Sequence, residues 1–157
     1  MFTATVVITI NQFSPISYTK KNYIDATLGP PKNTSAPGSG GKKVFGGGGQ
    51  QITVKVPKAY AGAVQLTFQL PDPNYVLVGV AMHPTPTKDG VCVGRQQFRS
   101  IAINRDLSGS QMTVTDACLA DFLNVNFKYV ILIEACTGPD AGKIGVIDPD
   151  IDNEGGE

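Results

Sequence analysis

Between Val64 and Leu70 the chain alternates without exception, with Val64, Leu66, Phe68 and Leu70 set against Gln65, Thr67 and Gln69. A two-residue period over that length describes a β-strand with one buried face. The same period runs through Phe2, Ala4, Val6, Ile8 and Ile10, separated by Thr3, Thr5 and Thr9 at the polar places, and through Ile52, Val54 and Val56. Strands that each carry one apolar face must stack as sheets to hide those faces. Eighteen glycines and eleven prolines, with only 17% charged residues, favour many short elements joined by turns over long helices.

Further strands follow from Gln51 onward. Tyr75 to Met82 is an unbroken apolar run, which predicts a central strand entered through Pro71-Asp72-Pro73-Asn74 and stopped by His83-Pro84-Thr85-Pro86. Lys88-Asp89-Gly90 is a hairpin signal into Val91 to Asn104. In that segment Phe98 lies in one phase and Ile101 and Ile103 in the other. Either a β-bulge near Arg99-Ser100 or two separate strands is required. Met112 and Val114 mark a short strand, after which Thr115-Asp116 is placed to cap a helical turn through Leu119, Phe122 and Leu123. Phe127 to Ala135 reads as a buried strand, Thr137-Gly138-Pro139-Asp140 as its turn, and Lys143 to Ile147 as the closing strand.

Seven or eight such strands predict an all-β, antiparallel immunoglobulin-like β-sandwich, with a jelly roll or small barrel as the alternative. The antibody-type markers are missing, since the chain contains no Trp. The 157 residues fit one domain, 1–157. It carries a long Gly/Pro-rich insertion at about 11–50, expected to be mobile between Pro30 and Gly49, although Tyr18, Tyr23, Ile24 and Leu28 suit a short strand or packed flap within it.

Charge and chemistry narrow the function classes. Thirteen basic residues balance thirteen acidic ones, so no field draws the chain to nucleic acid or to a membrane surface. The longest apolar run, Tyr129 to Ile133, is too short to cross a bilayer, and Met1-Phe2-Thr3-Ala4-Thr5-Val6 is no signal peptide. Cys92, Cys118 and Cys136, odd in number and widely spaced, suit reduced thiols in the cytoplasm. His83 is the single histidine, and a dyad with one of the cysteines is the one enzymatic arrangement the inventory permits. No Gly-x-Ser-x-Gly elbow is present. Ser39-Gly40-Gly41-Lys42-Lys43 fails as a phosphate loop, because Ala36 and Lys43 occupy the places of its first Gly and its Ser or Thr. No catalytic residue, cofactor or metal ligand is assigned. Tyr18, Tyr23 and Tyr60 are the candidate ligand contacts, as platforms for a small molecule or sugar.

The acidic tail, 148–157, is the remaining signature. Asp148, Asp150 and Asp152 have the alternation of the first three calcium ligands of an EF-hand, but Asn153 stands where its Gly belongs. The tail therefore reads as a solvated terminus in which Pro149 ends the closing strand. Asp148-Pro149 and the approach Asn153-Glu154 resemble the closing motif of the DP-EP family of uncharacterised bacterial proteins, with Gly155 where that pattern has its second Pro. A looser similarity is to inclusion-body proteins of the PixA and AidA type. Both resemblances imply an immunoglobulin-like sandwich without an assigned activity. The expected role is a non-enzymatic bacterial protein that binds a protein partner or assembles with itself, as a homodimer in the simplest case. The alternative is a small-molecule or carbohydrate-binding module using 11–50 as a lid.

Overall fold

The computed structural model describes residues 1–17, 23–35, 45–48, 51–56, 62–85, 98–106, 109–118, 126–148 and 150–155. These are all-β. The strands are β1 (Phe2–Gln12), β2 (Asp25–Leu28), β3 (Lys32–Ser35), β4 (Phe45–Gly48), β5 (Gln51–Val56), β6 (Val64–Leu70), β7 (Tyr75–Thr85), β8 (Phe98–Asp106), β9 (Gly109–Asp116), β10 (Asn126–Ala135), β11 (Ile144–Ile147) and β12 (Asp150–Gly155). They form two six-stranded sheets. In the first, β2 and β3 flank β1, followed by β6, β9 and β8; in the second, β7 flanks β10, followed by β11 and β12, then β5 and β4. The alternating residues meet between the sheets in one core, where Val6, Val64, Phe68, Leu70, Leu77, Met112, Tyr129, Ile131 and Ile133 are fully buried. Phe68 and Tyr129 pack ring against ring at its centre, with centroids 5.6 Å apart.

Several expectations need correction. The sheets are mixed and not wholly antiparallel, because β1 runs parallel to β6 and β12 parallel to β5. Strand count exceeds eight because short strands pair with the halves of longer ones. Two lie within the stretch expected to be mobile: β3 pairs with β1 and β4 with β5. Pro84 does not stop β7, whose ladder with β10 continues to Thr85↔Asn126. Nor does Pro149 end pairing. Ile131↔Ile147 and Lys128↔Asp150 lie in one unbroken register, so β11 and β12 follow the same edge of β10, and the acidic tail is an interior strand between β10 and β5. The hairpin expected at Lys88-Asp89-Gly90 and the helical turn through Leu119, Phe122 and Leu123 lie outside the described residues.

The bulge required by the phase change in β8 is present. Phe98 faces Asp116 and Ser100 faces Thr115, leaving Arg99 as the extra residue. Ile101 and Ile103 then share register with the buried Val114 and Met112, but Ile101 stays 46% exposed at the sheet border.

β7 stands at an edge despite its apolar run, and its ladder with β10 carries a second bulge. Gly79 faces Leu132 and Leu77 faces Ile133, so Val78 is the extra residue. On the side away from β10, side chains replace a neighbouring strand. Leu77 N donates to Ser110 Oγ (2.8 Å), while Arg105 Nε donates to Leu77 O (3.1 Å) and its guanidinium approaches Val78 O (3.5 Å). Two side chains from β8 and β9 thus lace the sheets together and blunt this edge. Ser110→Ala is expected to leave the buried Leu77 amide without its acceptor and to cost about 1–2 kcal/mol, read by urea denaturation.

At the opposite corner the segment after β1 crosses the free side of β11. Ile16 N donates to Ile144 O and Ile24 N to Val146 O, both at 2.8 Å, and Pro15 bridges Gly145. The crossing depends on Gly145. A Cβ there would lie 2.7 Å from Ser14 O and from two carbon atoms of Ile24.

Candidate functional site

The loops at one end of the core build a cleft. After β6, Asn74 donates from both N and Nδ2 to Asp72 Oδ1 (2.9 and 2.8 Å), an Asx-type turn that reverses the chain into β7. Asn74 also grips the loop after β10, since Cys136 N donates to Asn74 O and Thr137 Oγ1 to Asn74 Oδ1, both at 2.7 Å. That loop is closed on itself. Gly142 N donates to Ala135 O (2.7 Å) and Lys143 N to Asp140 O (2.9 Å), with Gly138 and Gly142 at φ of 76° and 81°, where a side chain would be strained. Phe13, just past β1, stacks on Tyr75 with centroids 5.5 Å apart and planes at 21°.

These three pieces enclose an open cleft of about 280 Å³, with the two rings, Ala135, Thr137 and Asp140 among its walls. Asp140 Oδ1 accepts from Lys143 Nζ at 2.8 Å. The rim is therefore held by internal bonds and needs little ordering to receive a ligand.

The candidates named from sequence are placed elsewhere. Tyr23 is 50% exposed and absent from the cleft walls, and Tyr18 and Tyr60 lie outside the described residues. The Asp148-Pro149 and Asn153-Glu154 motif is divided. Asp148 follows β11, Pro149 lies outside the described residues, and Asn153 and Glu154 sit within β12 in register with Val54 and Lys55. Asp150 and Asp152 belong to an extended, paired strand, which does not wrap around an ion as a calcium loop does. Among the described residues no cluster of three or more His, Cys, Asp or Glu could hold a metal.

The cysteines divide in the same way. Cys136 follows β10 at the end where Tyr75 faces Ala135, whereas His83 faces Lys128 near the other end of that ladder, eight residues and roughly 26 Å away at ~3.3 Å per residue. They form no dyad. Cys118 lies two residues past β9 at φ 49°, its amide donating to Asp116 Oδ1 at 2.8 Å. Burial, and then the Asp116 carboxylate, push the Cys118 thiol far above its ordinary range. It stays protonated, the form that does not attack electrophiles. Cys92 and the side chain of His83 lie outside what is described.

Sequence reasoning missed Phe13, Tyr75 and Asp140 because they are remote in the chain; the paired Gly138-Pro139 and Asp72-Pro73 turns were the available signal. No helix among the described residues is long and apolar enough to cross a membrane. No family model matches the chain, and neither a curated protein nor a solved structure matches it.

Proposed function

We propose that this chain is a non-enzymatic, immunoglobulin-like β-sandwich protein that acts through protein binding, in the first instance by pairing with a second copy of itself. The observation that supports the reading is a contrast between the two outer faces. On the first sheet the outward residues include Thr5, Gln65, Thr67, Thr113 and Thr115. Thr67 and Thr113 are joined at 3.1 Å, and Gln65 and Thr115 at 3.3 Å. On the second sheet, β10 buries Ile131 and Ile133 and turns Val130, Leu132 and Glu134 outward; Val130 faces Ala81 of β7, Leu132 lies between Gly79 and Val146, and Glu134 lies between Val76 and Ile144. Leu132 lies over Gly79, where a Cβ would come 3.7 Å from Leu132 Cδ1.

Apolar side chains left partly exposed side by side suit an interaction surface. Zero net charge lets identical copies approach without repulsion, and a two-fold pair is the simplest closed assembly. Kinship with the DP-EP proteins and residence in the cytoplasm belong to the same proposal. Light scattering over a wide concentration range is expected to show a dimer, and Leu132→Lys to weaken it more than tenfold while leaving the circular dichroism unchanged. A wild-type protein that stays monomeric throughout would refute the reading. The cleft favours a second reading, a small-molecule or carbohydrate-binding module in which Phe13, from the stretch 11–50, supplies one wall.

A further inference from the structure

We infer that the cleft between Phe13, Tyr75 and the 137–140 loop is a binding site for a single neutral pyranose ring, an inference that rests on the second reading above. The walls select this chemistry step by step. Phe13 and Tyr75 are half-buried and stacked on each other, which leaves aromatic surface facing the cleft and suits a flat ligand with C–H groups on one side. Thr137 and Asp140 share the lining with them. A wholly apolar ligand would strip water from these polar groups without replacing its hydrogen bonds.

The charges narrow the choice further. Asp140 and Lys143 form an ion pair on the rim, which offers no net charge to attract an anion. The Lys143 ammonium, 2.8 Å from Asp140 Oδ1, already neutralises that carboxylate and removes the advantage of a cation. A neutral polyol meets both conditions. Asp140 Oδ1 is engaged by Lys143, so Oδ2 is the oxygen offered to ligand hydroxyls. The Thr137 hydroxyl spends its proton on Asn74 Oδ1, so it can accept a hydrogen bond from the ligand. Asn74 is engaged through both ends of its amide by Asp72 and Thr137, and acts as the brace between the two loops. At about 280 Å³ the cleft falls just under the ~300–1,000 Å³ of drug-sized sites, room for one ring and not for an extended chain.

The test is an NMR titration of the full chain with glucose, galactose, mannose and N-acetylglucosamine, run beside Asp140→Ala. That substitution removes only an exposed ion pair of little weight in stability. At least one sugar is expected to give saturable shifts at Phe13, Thr137, Gly138 and Asp140, and Asp140→Ala to weaken its binding at least tenfold. Binding that the variant leaves unchanged, with shifts elsewhere, overturns the cleft assignment and leaves the module reading standing. Silence toward all four sugars overturns the ligand class. A parallel thermal-shift screen of other small molecules then separates the two failures, because a hit there spares the module reading and a blank removes it as well.

Discussion

Gly145→Val is expected to lower the melting temperature by roughly 6–12 °C, which corresponds to about 3 kcal/mol in a chain of this size. The cause is local and severe. Gly145 is buried where the segment after β1 crosses β11, and a Cβ would meet Ser14 O at 2.7 Å, a backbone atom with no rotamer to give way. Relief requires the crossing segment to lift, which strains the bonds from Ile16 N to Ile144 O and from Ile24 N to Val146 O. Differential scanning calorimetry supplies the measurement. A loss of less than about 1 kcal/mol would show that the crossing is loosely seated.

Phe68→Ala should cost more, about 3–5 kcal/mol, because it removes both transfer free energy and packing. Phe68 is fully buried on the first sheet and its ring meets Tyr129 of the second. The truncation leaves a void at an aromatic pair that joins the two sheets. Neighbours on rigid strands relax into such a void incompletely. Urea denaturation is expected to show a lower midpoint with an unchanged slope, since the surface exposed on unfolding is nearly the same. A midpoint close to wild type would mean that the core is far more plastic than its alternating pattern implies.

How much of this was legible in the sequence depends on the range of the cause. Val64–Leu70 and the start of β1 were readable because alternation is set within one strand. The bulge at Arg99 was readable for the same reason, as Phe98 and Ile101 lie in opposite phases within three residues. What escaped was pairing. Nothing local in Tyr75–Met82 says that Arg105 and Ser110 occupy the side where a central strand would have its second neighbour. Asp150–Gly155 looked like a solvated tail because its composition is acidic, yet register, not composition, places it between β10 and β5. The cleft was hidden by distance along the chain, since Phe13 meets Tyr75 across the two sheets and Asn74 meets Thr137 across the β7–β10 pair.

The interior place of β12 sets an order of events during synthesis. β5 is made early, but its parallel partner is residues 150–155, so the half of the second sheet holding β4 and β5 cannot join β10 until those residues have left the ribosome. Parallel pairing over such a long stretch of chain closes a large loop and is slow. Until then Ile52 and Val54, buried in the finished fold, belong to a hairpin with an open edge. The nascent protein is therefore vulnerable to wrong pairing in the interval between the synthesis of β5 and that of β12.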